Sequence, residues 1–464
     1  MNVKIQDIVD SRKIEAMLDK TVFDEKKFFD IIEKAKEKNG LSLEEVAVLI
    51  AAPREMSDYL FKASSWIRRE IYGNRMVLFA PLYISSYCVN RCSYCGFQAQ
   101  NQQPRTKLNP TRIKFETEAL LDMGHKRLLL ECGEDSVNNP MEYVLDAIKQ
   151  IYGVKNSKGD SMRRVNVNIA AGSVEDYKRL TEAGIGTYNL FQETYHRPTY
   201  EKVHSHNTPK GDYERQLFAM NHAIEGGLGD LGMGVLYGLY DWRFEVLAII
   251  SHAQYLDGTF GVGPHAISFP RIQQANGVEF TPSYPVSDDD FLKIIAIIRM
   301  AIPYAGMVIS TRENPAIRLR AFKIGISQTS AGSSTVPGGY TCPNKGKNML
   351  KQFELHDGRS LDEITYELLM NGFIPSDCTA CEFQGRMGKD FMPFAKSGNI
   401  KNFCQPNALI TLKEYLLNYA SDKTRKLGEE IIERELSLLP VSRISLTGEW
   451  LRRLEYGEKN YFYV

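Results

Sequence analysis

The sequence predicts an α/β protein built on a parallel (β/α)8 barrel, with helical additions at both ends. Three observations carry that prediction. Eight short apolar runs recur between about residues 76 and 332, each followed by an amphipathic segment of helix length. Several runs end in Gly-rich turns, and the stretches before and after the alternation read as helical. A chain of 464 residues has room for one such barrel plus extensions.

Residues 1–72 form an expected N-terminal helical extension, with apolar and charged positions at helix spacing in FDEKKFFDIIEKAKEK and SLEEVAVLIAA. Ser42 and Glu45 predict a capping box for the second of these helices. Residues 73–374 form the expected barrel. Its strand candidates are MVLFAPLYIS, KRLLLEC, RVNVNIA, TYNLFQET, LGMGVLYGL, HAISFPR, GMVIST and GISQTSAG. Helices are expected at about 111–123, 140–152, 174–184, 210–226, 242–256, 287–303, 314–323 and 360–371. The stretch SSTVPGGYTCPNKGKN reads as a long loop after the eighth strand. Residues 375–464 form an expected C-terminal domain, mostly helical at about 410–420, 425–438 and 446–455.

Lys+Arg (57) balances Asp+Glu (57), which argues against nucleic acid or a membrane surface as partner, since both favour a basic excess. The opening MNVKIQDIVDSRK lacks the apolar core of a signal peptide, and no run has the length to span a bilayer, so a cytoplasmic location is expected. Six of the eight cysteines fall in two groups, and clustered thiols in a reducing compartment read as metal ligands.

The first group, Cys88, Cys92 and Cys95, has Cys-x-x-x-Cys-x-x-Cys spacing directly after the first strand. Three thiolates can hold three irons of a [4Fe–4S] cube and leave the fourth open. A zinc site with a distant fourth ligand is the alternative. The second group is Cys378 and Cys381 with Cys404 further on, and here cube and structural zinc both stay open.

The first spacing resembles the radical S-adenosylmethionine (SAM) superfamily signature. That resemblance implies that SAM chelates the open iron, that one electron cleaves it to a 5′-deoxyadenosyl radical, and that Tyr94 lies against adenine. It also assigns SAM contacts to Gly133, Glu134, Gln192, Glu193, Gly232 and Gly234, all at strand ends on one barrel rim. The whole chain, through SSYCVNRCSYCGF, FQETYHRPTY, GVLYGLYD, GVGPH, SDCTAC and FAKSGNIKNFC, resembles the HydG maturases of [FeFe]-hydrogenase.

This closer resemblance implies a lyase that cleaves the Cα–Cβ bond of L-tyrosine to p-cresol and dehydroglycine. It further implies formation of carbon monoxide and cyanide at the second cluster, and release of an Fe(CO)2(CN)-cysteine unit for the hydrogenase H-cluster. His265 then matches the ligand of an additional iron bridged to that cluster by free L-cysteine. An electron donor such as ferredoxin or flavodoxin and other hydrogenase maturation proteins are the implied partners.

The substrate carboxylate needs a cationic anchor, and Arg312 is the first choice because guanidinium pairs with carboxylate bidentately. Ser330 is a second contact, and Arg271 competes for the anchor role. The chain departs from the family pattern at Gln273, where the family has arginine, at Glu382-Phe383, where it has Tyr-Arg, and at SAGSS, where it has a cysteine. Cys132 and Cys342 fit no ligand pattern and default to buried small apolar residues. Two other functions remain open: a ThiH-like 2-iminoacetate synthase, which lacks the second cluster, and a non-enzymatic iron–sulfur carrier.

Overall fold

The computed structural model describes residues 3–342, 350–383 and 388–459, except for the side chains of residues 382 and 383. Eight strands form the barrel: β1 (Arg75–Ser85), β2 (Arg127–Cys132), β3 (Arg164–Asn168), β4 (Tyr188–Glu193), β5 (Leu231–Val235), β6 (Ala266–Ser268), β7 (Gly306–Ile309) and β8 (Gln328–Ser330). All neighbours pair in parallel and in chain order, and β1 closes the ring by pairing with both β2 and β8. Each of the eight apolar runs supplies its strand.

Side chains alternate across each strand, and here the two faces meet different surroundings. Leu128, Leu130, Val165, Val167, Met307 and Ile309 are fully buried beneath the surrounding helices. Leu129, Asn166, Asn168, Phe191, Val308 and Gln328, on the inward face, keep partial exposure. Barrels of this type are commonly packed solid with branched side chains. In this one the space above Gly232, Gly234 and Gly306 is taken by the Asn189 amide, the Phe191 ring and the Gln328 amide.

The predicted capping box is present, with Ser42 and Glu45 each satisfying the other's backbone N–H. Helix Ser57–Tyr72 packs on Asp288–Ala301, and Ser11–Lys20 and Leu43–Ala51 pack on Trp242–Phe260, so the N-terminal helices clad one flank of the barrel. No helix among the described residues is long and apolar enough to cross a membrane.

Three elements differ from expectation. The single helix expected over 210–226 is split into Tyr213–Leu217 and Ala219–Glu225, the first started by an Asp212 side chain that accepts from Arg215 N. The helix expected at 410–420 begins at Lys401 and ends at Asn418, carrying Cys404 in its first turn and Pro406 within it. At the sixth helical position Pro406 gives up one intrahelical hydrogen bond, the one to the Asn402 carbonyl. A ninth strand, β9 (Ile374–Ser376), pairs in parallel with Arg75–Val77 at the foot of β1. Its Pro375 hides it in the sequence, but a proline is tolerated on an edge strand. β9 delivers Cys378 to the N-terminal end of the barrel.

Candidate active site

A cavity of about 210 Å³ opens at the C-terminal ends of the strands. The loop after β1 brings Cys88, Cys92 and Cys95 to its wall as free thiols. The Arg105 guanidinium shapes that loop by donating to the carbonyls of Ser86, Phe97 and Gln98, and Val89 N donates to Glu134 O at 2.8 Å. Gly133 lets the loop lie on the end of β2, because a Cβ there would strike the Tyr87 carbonyl and come within 2.7 Å of Cys88 Cβ. Burial raises all three thiols above their ordinary value, Cys95 to about 11. Binding metal therefore has to displace their protons.

Tyr94 lines the same cavity, and its hydroxyl meets His204 Nε2 at 2.9 Å. Glu134 is engaged by Asn90 Nδ2 at 2.6 Å and by Arg215 at 2.7 Å. Glu193 sits at a register shift in β4 with φ of 67°, a left-handed conformation that a non-glycine residue adopts at some cost, and pairs with Lys210 at 2.7 Å. Gln192 is buried and lies off the cavity wall. Gly232 and Gly234 also lie off the wall, since the space above them is taken by the Asn189 amide and the Phe191 ring.

Arg312 and Ser330 both face this cavity. The Arg312 guanidinium stacks 3.4 Å from the Phe353 ring centre, and among the described residues it makes no ion pair. Arg271 is committed elsewhere: it pairs with Glu313, donates to Asp288 at 2.8 Å and lies outside the cavity lining. The two candidate anchors thus differ in availability. Gln273, one of the departures from the family pattern, lines the cavity; the side chains at positions 382 and 383, another departure, lie outside the described residues.

A second cavity, about 60 Å³, lies at the opposite end of the barrel. Cys378, Cys381, Cys404 and His265 line it, together with Arg75, Arg127, Arg164 and Asp230 from the starts of strands. β9 and the following turn place the first two cysteines, and the first turn of Lys401–Asn418 places the third. Arg127 donates to the Cys378 carbonyl at 2.6 Å. His265 packs its ring 4.2 Å from Phe391 and presents Nδ1 to Asp230 Oδ2 at 3.8 Å, while Arg164 holds the same carboxylate. The eleven residues of β1 separate the two ends by roughly 25 Å, allowing for the strand tilt of such barrels.

Among the described residues no three His, Cys, Asp or Glu side chains converge on one point that a metal ion could occupy. Each triad lines a single cavity, an arrangement in which the three thiols would hold separate iron corners of a cube. Cys132 and Cys342 are half-buried rather than buried, and Cys132 lines the first cavity. Glu131, Lys210, Asp230 and Arg164 were not singled out from the sequence. Glu131 could have been found from its inward parity with Leu129 on β2, whereas Asp230, in the turn GLGDLG, carried no such signal.

Residues 82–248 match the Radical SAM superfamily, and residues 268–374 match the Biotin and Thiamin Synthesis associated domain. The chain is similar to a crystal structure of HydG, a maturase of the [FeFe]-hydrogenase, at 49% identity and TM-score 0.94 over 99% of this chain and all (100%) of that one. It is similar to the X-ray structure of the maturase HydG from Carboxydothermus hydrogenoformans at 35% identity and TM-score 0.84, covering 97% of this chain and 100% of the other. A 2-iminoacetate synthase from Escherichia coli (strain K12) is 28% identical over 349 residues, 74% of this chain and 89% of the synthase.

Proposed function

The chain belongs to the HydG family of radical SAM enzymes, and on that premise we propose that it splits L-tyrosine in the upper cavity and processes the fragment at the lower one. The Cα–Cβ bond of tyrosine breaks to give p-cresol and dehydroglycine. Dehydroglycine reaching the lower cavity would break down there to carbon monoxide, cyanide and water, two turnovers supplying the two carbon monoxides of an Fe(CO)2(CN)-cysteine unit for the H-cluster. Bound to Cys88, Cys92 and Cys95, a [4Fe–4S] cluster and SAM supply the radical that starts the reaction.

The chain's own residues account for the rest. Arg312 and Ser330 hold the substrate carboxylate, Arg312 with its guanidinium already flattened on Phe353 and so prepaid in side-chain freedom. Tyr94, Glu134 and Glu193 shape the SAM pocket, and their hydrogen bonds to His204, Arg215 and Lys210 fix them before ligand arrives. The closed barrel keeps water from the fragment in transit. At the lower end Cys378, Cys381 and Cys404 would hold the second cluster, and His265 would be the ligand for an added iron that is loaded together with free L-cysteine. Ferredoxin or flavodoxin delivers electrons, and other maturation proteins receive the product.

The observation supporting this reading is the pair of thiol triads in two cavities at opposite ends of one barrel. A 2-iminoacetate synthase activity alone would leave the lower triad without a task. The test is anaerobic reconstitution followed by assay of 5′-deoxyadenosine, p-cresol and carbon monoxide with and without tyrosine. Tyrosine-dependent release of all three is expected; SAM cleavage indifferent to tyrosine rejects the reading.

A further inference from the structure

Five charged side chains line the upper cavity: Glu131, Glu134, Glu193, Lys210 and Arg312. Glu134 is held by Arg215, and Glu193 by Lys210. Among the described residues Glu131 and Arg312 have no ion-pair partner, so the wall is left with one carboxyl group and one guanidinium. They share one stretch of wall: Glu131 pairs in register with Tyr83 of β1, all three residues line the cavity, and the Arg312 charge acts on Glu131. An amino acid carries its carboxylate and its ammonium on one carbon, so the groups that read them must also be neighbours. A cation and an acid left over side by side are the complement of that zwitterion.

We propose that Glu131 binds the α-ammonium group of the substrate and accepts a proton from it, while Arg312 holds the α-carboxylate. This deepens the tyrosine reading above and rests on it. The step is a proton transfer only: one N–H bond breaks, one O–H bond forms on the Glu131 carboxylate, and the amine keeps its electron pair. Its use is to present a neutral amino group to the radical chemistry.

The surroundings suit that exchange. Tyr83 faces Glu131 from β1, Arg312 from the loop after β7, Cys132 from the next position of β2, and the neutral Asn168 pairs with it in register on β3. Burial lifts the carboxyl group to about 7, against the lowering influence of the Tyr83 hydrogen bond and Arg312. A general base works best when its own value lies near the working pH.

The test compares binding of L-tyrosine with binding of its desamino analogue, 3-(4-hydroxyphenyl)propanoate, to the cluster-loaded full chain. Glu131→Gln is expected to weaken tyrosine roughly 10- to 100-fold and to leave the analogue unchanged. The wild-type rate with limiting tyrosine is expected to rise with pH through about 7, and Glu131→Gln to lose that limb. If Glu131→Gln loses its iron, Glu131→Asp carries the same comparison, with tyrosine weakened and the analogue spared. Equal weakening of both ligands, or of neither, overturns the proposal. A wild type that binds tyrosine through its amine yet releases no p-cresol would sink the lyase reading and keep Glu131; p-cresol release with no amine-specific loss in the variant would do the reverse.

Discussion

The two ends of the barrel use the same ligand type, three thiols, in opposite electrostatic settings. At the upper end Glu193 and Glu134 are each paired with a base, and among the described residues one carboxyl group and one guanidinium on the wall have no ion pair. At the lower end Arg75, Arg127 and Arg164 face a single carboxylate, Asp230, in a far smaller space. The upper cavity has room for a larger charged molecule, and the positive lower one favours small anions. The thiols alone do not decide the chemistry at either end, and the charges around them divide the labour.

The comparison can be broken most severely at the first triad. Cys92→Ala is expected to drop 5′-deoxyadenosine, p-cresol and carbon monoxide to background together, since every product depends on the upper end; product assays check this. Arg312→Ala should lower kcat/KM for tyrosine by roughly 100-fold or more, the usual cost of truncating one partner of a desolvated charge pair. Arg271→Ala should leave the KM for tyrosine unchanged and lower the melting temperature instead, because its partners are Glu313 and Asp288.

Asp230→Asn sharpens the contrast from below. Losing the carboxylate behind a metal-binding histidine typically costs about 10- to 100-fold in metal affinity. Carbon monoxide release and the iron content of the second centre should fall, with p-cresol unaffected. The smallest effect concerns the join between barrel and C-terminal helices. Burial pushes the Asp160 carboxyl group up, but Lys126, Lys459 and Tyr419 around it outweigh burial and hold it below the ordinary carboxylate range. A depressed value stabilises the fold above the unfolded-state pKa of about 4, and that contribution fades as pH falls through the folded-state value. Asp160→Asn should therefore melt a few degrees lower than wild type at pH 7, and the gap should close in acid.

How much of this was legible beforehand depended on how local each signal is. The eight strands and the first cysteine loop rest on contiguous patterns, so they could be read directly. β9 and the start of the helix Lys401–Asn418 were obscured by Pro375 and Pro406, which ordinarily argue against strand and helix. Arg312 is the first choice on paper with Arg271 competing, and the Glu313 and Asp288 contacts show that Arg271 is already engaged. Gly232 and Gly234, read as room for SAM, give room to neighbouring side chains. Glu131 and Asp230 gain meaning from residues distant in the chain, Arg312 and His265, that the fold brings beside them.

Replacing Cys378 and Cys381 together with alanine, in anaerobically reconstituted full-length protein, tests the division between the two ends most directly. Tyrosine should still yield p-cresol at close to the wild-type rate while carbon monoxide disappears. Carbon monoxide at the wild-type level, or loss of p-cresol in step with it, would contradict two separate centres.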